Sequence, residues 1–231
     1  MTRRECAIGH GVPQGARIRI ARMPGRRRNR LLIPQLDAHR PADPREAADL
    51  LEIVQFVARH ADPFDRRIRE GHLTGSAIVV ARGGARVLLL RHRKLQRWLQ
   101  PGGHADPGES SGEAIALREA REETGISGLA LHPRAPRPLD VDVHEIPARG
   151  ADPAHLHLDL RYLVLAPAGA ALARSATESD DLRWFGWGEL AALDLDPGLR
   201  RALGKARALL RRAKASGPRQ RRRNPRGRSR R

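Results

Sequence analysis

The sequence predicts an α/β domain with basic extensions at both ends. Three observations support this prediction: apolar residues cluster in patterned segments such as SAIVVARGGARVLLL, helical and strand-like patterns alternate along the chain, and charge is distributed unevenly. The 231 residues can bury one good-sized core with additions, and a hydrophobic content of 40% suffices although aromatics make up only 3%. We therefore expect a single domain with appendages.

The net charge of +18 belongs to the ends of the chain. Residues 1–30 contain nine Arg and one Glu, and residues 199–231 contain fifteen Lys or Arg and no acid, which leaves 20 basic and 25 acidic residues between them. Both ends hold stretches rich in Arg, Gly and Pro that cannot offset their ordering entropy by burial. We predict a disordered basic extension over 1–43, a folded domain over 44–198, and a basic helix with a disordered tail over 199–231.

An Arg-rich tail can bind nucleic acid through its phosphates, so contact with RNA or DNA is an alternative use of this segment. It is not favoured, because residues 199–231 contain no aromatic side chain for base stacking. Moreover, 41 of the 44 basic residues are Arg, which indicates a compositional bias of the whole chain.

Cysteine content and hydropathy limit the compartment. Cys6 is the single cysteine, so neither a disulfide framework nor a cysteine-rich metal site can form within the chain. No apolar run approaches the length needed to cross a bilayer, and the N-terminus lacks the apolar stretch of a secretion signal. The expected location is the cytoplasm, without membrane contact.

Helices and strands of the first half follow from apolar periodicity. A helix is predicted from Pro44 to His60, with Asp43 as its N-cap. HLTGSAIVVA and ARVLLLRHR indicate two strands joined by a glycine turn. A loop, RWLQPGGHADPGESSG, precedes a helix, EAIALREAREETG, that ends at Gly125.

The second half continues with two alternating strands, PLDVDVHEIPA and HLHLDLRYLVLA. DDLRWFGWGELAAL indicates a short strand leading into a helix, and DPGLRRALGKARALLRRAKA indicates a final helix with a basic face. Up to that final helix, the predicted order is α-β-β-loop-α-β-β-β-α.

The segment LREAREETG concentrates three carboxylates on one helical turn. Glu119, Glu122 and Glu123 share a face, where like charges repel. A solvated acidic face is the alternative explanation. However, Mg²⁺ binds carboxylates while keeping waters and substrate phosphates, and the preceding glycine loop PGGHADPGE can bring backbone groups to a metal or a phosphate. The pattern favours a cation site.

Residues 102–126, GGHADPGESSGEAIALREAREETGI, resemble the Nudix box. The family pattern is Gly, five residues, Glu, seven residues, then Arg-Glu-apolar-x-Glu-Glu-x-Gly-apolar, which is far more specific than a lone glycine motif. The matching residues are Gly103, Glu109, Arg118, Glu119, Ala120, Glu122, Glu123, Gly125 and Ile126.

The match departs from the family pattern twice. Eight residues, 110–117, separate Glu109 from Arg118 where the pattern has seven, and Ala120 is smaller than the usual apolar residue. The extra residue falls in the loop or the first helical turn, so it bears on the role of Glu109 more than on that of the downstream glutamates.

The resemblance implies a Nudix-type α/β/α sandwich with a mixed central sheet, spanning about residues 65–195 and extended by the N-terminal helix. It implies Mg²⁺ or Mn²⁺ as cofactor. Arg118 would be a structural partner that orients a carboxylate, although an ordinary exposed ion pair explains it equally well, and Gly125 would end the box helix. The implied metal ligands are Glu119, Glu122, Glu123 and the carbonyl of Gly103.

The implied reaction is cleavage of a nucleoside diphosphate linked to another moiety, or of a related diphosphate, by metal-activated water. Glu122 is the leading candidate for the base because it lies within the metal cluster, Glu109 is second, and Glu178 is third. Oligomer formation and the identity of the small-molecule nucleotide or diphosphate are left open.

Two other functional classes are alternatives to a pyrophosphohydrolase. A Nudix-fold isomerase of prenyl diphosphates would want a catalytic cysteine, and Cys6 lies outside the domain. A catalytically weak ligand sensor with a nucleic-acid-binding extension is the second alternative, but about one helix follows the domain, which is too little for a winged helix.

The last two predicted strands carry a second set of candidate residues. In each strand the polar residues share one face opposite apolar ones, as a solvent-facing antiparallel sheet would also produce. Histidines, aspartates and an arginine can instead contact phosphate, ribose or base, and in the Nudix fold such strands border the substrate cleft. A metal site of paired histidines is a further alternative. The predicted substrate-binding residues are Arg161, His157, His155, Asp159 and His144.

Overall fold

A computed structural model describes residues 32–150, 153–175 and 179–215. Its helices are α1 (Leu32–Asp37), α2 (Pro44–Arg59), α3 (Gly112–Thr124) and α4 (Pro197–Ala215), with a 3₁₀ turn at Glu189–Ala192. Its strands are β1 (Gly71–Val80), β2 (Arg86–His92), β3 (Trp98–Leu99), β4 (Gly102–His104), β5 (Ala130–Leu131), β6 (Asp140–Ile146), β7 (His155–Leu165) and β8 (Ser179–Gly186).

The eight strands form one mixed sheet around β1. Strand β1 pairs with β7 in parallel and with β2 and β4 antiparallel. Strands β5 and β6 pair antiparallel with β7, while β3 and β8 pair antiparallel with β2. One core lies between the sheet and helices α1 to α3, and a second lies between the sheet and α4 with the 3₁₀ turn. The predicted α/β/α sandwich with a mixed sheet is confirmed.

The helix of the glutamate turn packs unusually close to the central strand. Ser111 caps α3 by accepting a hydrogen bond from the backbone of Ala114, and Gly125 ends the helix in the left-handed region at φ 68°. A side chain on Gly75 of β1 would collide with the carbonyl of Gly112. This close contact fixes the height of the acidic turn above the sheet.

The register of β7 against β1 confirms the alternation expected from the sequence. His157, Asp159 and Arg161 lie opposite His72, Thr74 and Ser76, all on one face of the sheet. The face is not solvated, however, because Asp159 and Arg161 are each only 2% exposed. The alternative of an ordinary wet face therefore does not describe this strand.

The boundaries of the folded domain differ from the predicted ones. Residues 32–43, assigned by sequence to a disordered extension, instead contain α1, and its Leu36 is 2% exposed. The predicted boundary between 198 and 199 falls inside α4, whose Leu199 and Ala202 are fully buried against the sheet. The predictions of disorder before residue 32 and after residue 215 lie outside the described residues, as does Glu178.

Candidate active site

Arg118 lies at the centre of the acidic turn. Its guanidinium donates hydrogen bonds to Glu109 at 2.9 Å, Glu119 at 3.0 Å and Glu122 at 3.1 Å. It also donates to the carbonyl of His104 at 2.6 Å, which ties the helix to the glycine loop. This one cation offsets the mutual repulsion of three carboxylates, and its side chain is only 18% exposed. These contacts are not those of an ordinary exposed ion pair, and the orienting role of Arg118 stays a prediction.

Glu119 and Glu123 face the glycine loop directly. An oxygen of Glu123 accepts a hydrogen bond from the backbone nitrogen of Gly102 at 2.9 Å. A side chain added to Gly103 would collide with the carboxylate of Glu119. Both carboxylates are largely enclosed, with Glu123 6% exposed and the Glu119 side chain 15% exposed. Glycine at 103 is thus what allows the backbone to approach Glu119.

This arrangement fits a hard divalent cation. Two enclosed carboxylates meet a backbone segment that carries no side chain, and oxygen ligands of this kind suit Mg²⁺ or Mn²⁺. Glu119, Glu123 and the Gly103 carbonyl are the residues that could hold such an ion. Glu122 lies on the same turn, but its side chain is 58% exposed.

A cleft of about 380 Å³ opens beside the glycine loop. Glu119, Glu123 and Gly103 line one side, while His144, His157 and Asp159 line the other. Six predicted residues from the box and from the two polar strands therefore meet in one cavity. Their separation along the chain is bridged by the pairing of β1 with both β4 and β7.

The two candidates for the base lie outside this cleft in the structure. Glu122 and Glu109 border a shallower depression on the outer side of α3, together with Arg118. Hydrogen bonds from the Arg118 guanidinium hold the pKa of the Glu109 carboxyl below its usual range. The extra residue between Glu109 and Arg118 does not separate them, since their side chains are bonded at 2.9 Å.

The predicted substrate-binding residues divide into three environments. His157, His144 and Asp159 reach the cleft, whereas His155 borders a neighbouring pocket lined by Arg66 and Arg69. Arg161 lies beneath the cleft in a closed ion cluster with Asp140, Asp142 and Asp159.

The Arg161 guanidinium has no open face in this arrangement. It donates to Asp159 at 3.0 Å, to Asp142 at 3.1 Å and to Asp140 at 3.4 Å, and its side chain is 3% exposed. Arg201 of α4 reaches the same carboxylates, bonding Asp140 at 2.8 Å. Burial and these partners make Arg161 a structural cation, and the geometry gives no support to its predicted contact with substrate.

Sequence reasoning missed part of the cleft wall. Thr74 and Ser76 of β1 donate hydrogen bonds to Asp159 at 3.0 and 2.8 Å, and His104 of β4 bonds His157 at 3.0 Å between their Nε2 atoms. The alternation in HLTGSA could have revealed the first two residues, because His72, Thr74 and Ser76 recur at every second position. Nothing in the GGH segment indicates the partner of His104.

Comparison with known proteins agrees with the box. The family model for the NUDIX domain matches residues 71–205, which is more than half of the chain. The chain belongs to the Nudix family. Among described parts of the chain, no helix is long and apolar enough to cross a membrane.

Two curated Nudix relatives and two solved structures resemble this chain. A protein of Bacillus subtilis named putative 8-oxo-dGTP diphosphatase is 33% identical over 116 residues, 50% of this chain and 68% of the relative. Putative 8-oxo-dGTP diphosphatase 3 of Mycobacterium tuberculosis is 36% identical over 121 residues, but the match spans only 51% of its length.

The solved structures are more distant. A C. elegans Ap4A hydrolase is 21% identical, with a TM-score of 0.49 over 60% of this chain and 97% of that one. A MutT NUDIX hydrolase of Burkholderia pseudomallei is 27% identical, with a TM-score of 0.46 over 59% of this chain and 98% of that one. With the box and the family match, this Nudix protein is a hydrolase acting on phosphoric anhydride bonds.

Proposed function

We propose that this Nudix hydrolase is a Mg²⁺- or Mn²⁺-dependent pyrophosphohydrolase of a nucleoside diphosphate linked to another moiety, or of a related diphosphate. The observation that carries the proposal is the meeting of Glu119, Glu123 and Gly103 at the wall of the cleft. A bound cation there supplies charge stabilisation for the phosphoryl group and acidity for an attacking water. Glu119, Glu122, Glu123 and the Gly103 carbonyl are its proposed ligands.

Residues of the box would orient the carboxylates and accept the proton of the attacking water. Arg118 holds Glu119 and Glu122 in place through bonds of 3.0 and 3.1 Å, so the carboxylates stay together before a cation arrives. Glu122 is the proposed base, because it lies on the metal-binding turn and its side chain is exposed to solvent. Glu109 is second, since Arg118 already occupies both of its oxygens.

Other residues of the cleft favour a nucleotide as substrate. Gln100 lines the cleft, and its side-chain carbonyl oxygen is buried with no hydrogen-bond partner among the residues the structure describes. An amide with a spare acceptor can bind the exocyclic amine of a base. His157 and His144 add imidazoles that can contact ribose or phosphate. The names of the two curated relatives make an oxidised purine nucleotide the first compound to try.

One metal-supplemented screen tests the proposal. The protein is incubated with Mg²⁺ or Mn²⁺ and a panel of nucleoside triphosphates including 8-oxo-dGTP, nucleotide sugars, dinucleoside polyphosphates and coenzymes. Released orthophosphate is read with and without added inorganic pyrophosphatase, so that release of pyrophosphate is distinguished from release of orthophosphate. We expect turnover of at least one class and its loss on chelation.

Variants on α3 locate the activity. Glu122→Gln should lower kcat by about 100-fold or more, as loss of a metal ligand or base does, with an unchanged unfolding midpoint. Glu113→Gln on the first turn of the same helix is the matched control and should leave kcat unchanged. Full activity in Glu122→Gln would overturn the assigned role of this residue. Tight nucleotide binding without turnover would instead support the ligand-sensor alternative.

A further inference from the structure

Three histidines from three strands converge beside the cleft. His72 of β1, His104 of β4 and His157 of β7 offer ring nitrogens that all lie within 4.8 Å of one another. Their ring centroids are 5.0 Å apart for His72 and His104, 5.0 Å for His72 and His157, and 4.7 Å for His104 and His157. The sheet itself sets this convergence, because His72 lies directly opposite His157 in the parallel pair.

His72 is the unexplained member of this group. Its side chain is buried, with the residue 3% exposed, and neither ring nitrogen has a hydrogen-bond partner among the described residues. A neutral imidazole carries one donor and one acceptor, and leaving both unmatched in the interior costs free energy. Buried polar groups without partners are uncommon, so this one calls for a ligand that the protein chain does not supply.

The three rings are held in the form that binds metals. Burial, followed by the charges of neighbouring His104 and His155, lowers the pKa of His72 to about 4. Burial and the charge of Arg66 lower the pKa of His104 to about 4, and burial with the charges of His104 and His72 lowers that of His157 to about 2. Burial disfavours the charged imidazolium, and an uncharged imidazole keeps the lone pair that a metal binds.

We propose that His72, His104 and His157 form a binding site for a transition-metal dication, with Zn²⁺ the best match, separate from the carboxylate site of α3. Three imidazoles suit Zn²⁺ and not Mg²⁺, which prefers oxygen. Zinc bonds of about 2.0–2.1 Å require nitrogens roughly 3.3 Å apart in a tetrahedron. The Nε2 atoms of His104 and His157 are already 3.0 Å apart, so small ring rotations complete the site.

The position of the site predicts its fourth ligand. All three histidines line a pocket that also contains Arg66, Arg69 and Arg149, so positive charge lies near the open coordination position. An anion, either hydroxide or a phosphoryl oxygen, is favoured there over a neutral ligand. His104 directly follows Gly103, which places the zinc site and the carboxylate site on neighbouring residues of the same short strand.

Zinc binding to the chelator-treated full chain tests the proposal. We expect one Zn²⁺ per chain by competition with a chromophoric chelator, and a rise in the unfolding temperature on adding zinc, because the ion binds the folded state. Co²⁺ should give the intense visible bands of a tetrahedral nitrogen site. The measurements do not depend on hydrolase activity, so they stand whether or not the proposed reaction is found.

Variants separate the histidines from the glutamates. His104→Gln and His157→Gln should each weaken zinc binding by more than about 100-fold, beyond what the loss of an outer-shell partner usually costs, and should abolish the Co²⁺ bands. His144→Gln, on the same sheet face but outside the trio, is the control and should keep both. His72→Gln is read only after its circular dichroism matches that of the parent protein, and the two other variants stand without it.

Three results would overturn the proposal. The first is the absence of stoichiometric zinc binding by the parent protein. The second is zinc affinity that is unchanged in His104→Gln and His157→Gln. The third is zinc affinity that is lost in Glu119→Gln while Co²⁺ shows only the weak bands of an octahedral oxygen site, since the ion would then belong to the carboxylates.

Discussion

Arg118 and Arg161 each gather three carboxylates, but they do so at different depths. The Arg118 cluster borders the surface, and one of its members, Glu122, is 58% exposed. The Arg161 cluster is closed, with Asp140, Asp142 and Asp159 all 2% exposed or less. In the first cluster a cation can replace or supplement the arginine, whereas in the second Asp159 borders the cleft but the Arg161 guanidinium is enclosed.

Charge balance explains why two such similar groups differ in use. The carboxylates around Arg161 are also contacted by Arg201 of α4, and Lys205 bonds both Asp140 and the neighbouring Glu46. In the other cluster the Arg118 guanidinium bonds Glu109, Glu119 and Glu122. Negative charge at an accessible place favours a metal ion, while in the interior cluster Arg161, Arg201 and Lys205 offset much of the charge of the carboxylates.

Removing each arginine should give the largest contrast. Arg161→Met leaves three buried carboxylates without their main cation and should lower the free energy of unfolding by about 3–5 kcal/mol. Arg118→Met removes a partly exposed cation and should cost about 1 kcal/mol or less. Urea unfolding of both variants measures the difference, and equal losses would show that depth does not separate the clusters.

Two glycines provide a finer test, because each borders one cluster. A side chain on Gly198 would meet Asp142 and the Arg161 guanidinium, so Gly198→Ala should destabilise the protein by about 1–3 kcal/mol without altering its metal requirement. A side chain on Gly103 would push the Glu119 carboxylate aside. Gly103→Ala should therefore raise the Mg²⁺ concentration for half-maximal activity about tenfold.

These two substitutions control for each other. Unfolding midpoints and Mg²⁺ titrations are measured on both proteins. If Gly103→Ala shifted only the unfolding midpoint, or Gly198→Ala shifted only the Mg²⁺ requirement, the assignment of one cluster to catalysis and the other to stability would be reversed.

Glu46, which shares Lys205 with the closed cluster, should make stability depend on pH in acid. We expect this effect to be smaller than those of the arginine and glycine substitutions. Burial alone would raise the pKa of Glu46, but its hydrogen bond with His39 and the charge of Lys205 lower it to about 2, from an ordinary 4.5. Because the unfolded chain then binds this proton first, the stabilisation is complete above about pH 4.5 and is lost as the pH falls toward 2.

Urea unfolding at pH 6, 4.5 and 3 follows this loss. Glu46→Gln should be less stable at pH 6 and should show a flatter decline between pH 4.5 and 3 than the parent protein. An unchanged slope would mean that the acid sensitivity arises from other carboxylates.

The sequence predicted the fold and six of the residues that line the cleft, and the physical reason can be stated. The helix of α3, its end at Gly125 and the two-residue period of β7 depend on neighbours along the chain, where propensity and spacing act. The parallel pairing of β7 with β1 depends on chain segments more than eighty residues apart. It places His157 beside His72, which no local pattern reveals.

The functions of the charged residues were harder to predict than the face of the strand on which each one lies. Arg161 and His157 share a face of β7, and the sequence assigned both to the substrate. Arg161 is buried because Arg201 and Asp140 approach from α4 and β6, and burial is a property of the packed layers rather than of the strand. Arg201 was likewise assigned to the basic face of the final helix, whereas in the structure its side chain is buried against Asp140.

Asp159 joins the cleft to the interior, and this has a consequence for how the protein can change. One of its oxygens accepts from Thr74 and both accept from Ser76 at the cleft wall, while the same carboxylate bonds Arg161 at 3.0 Å beneath. A substitution at Asp159 that altered which molecule enters would simultaneously leave a buried guanidinium short of a partner. His144 and Gln100 share this constraint, because His144 bonds Asp142 at 3.1 Å and Gln100 bonds Asp159 at 3.4 Å. A change of specificity at this wall therefore also acts on the ion cluster.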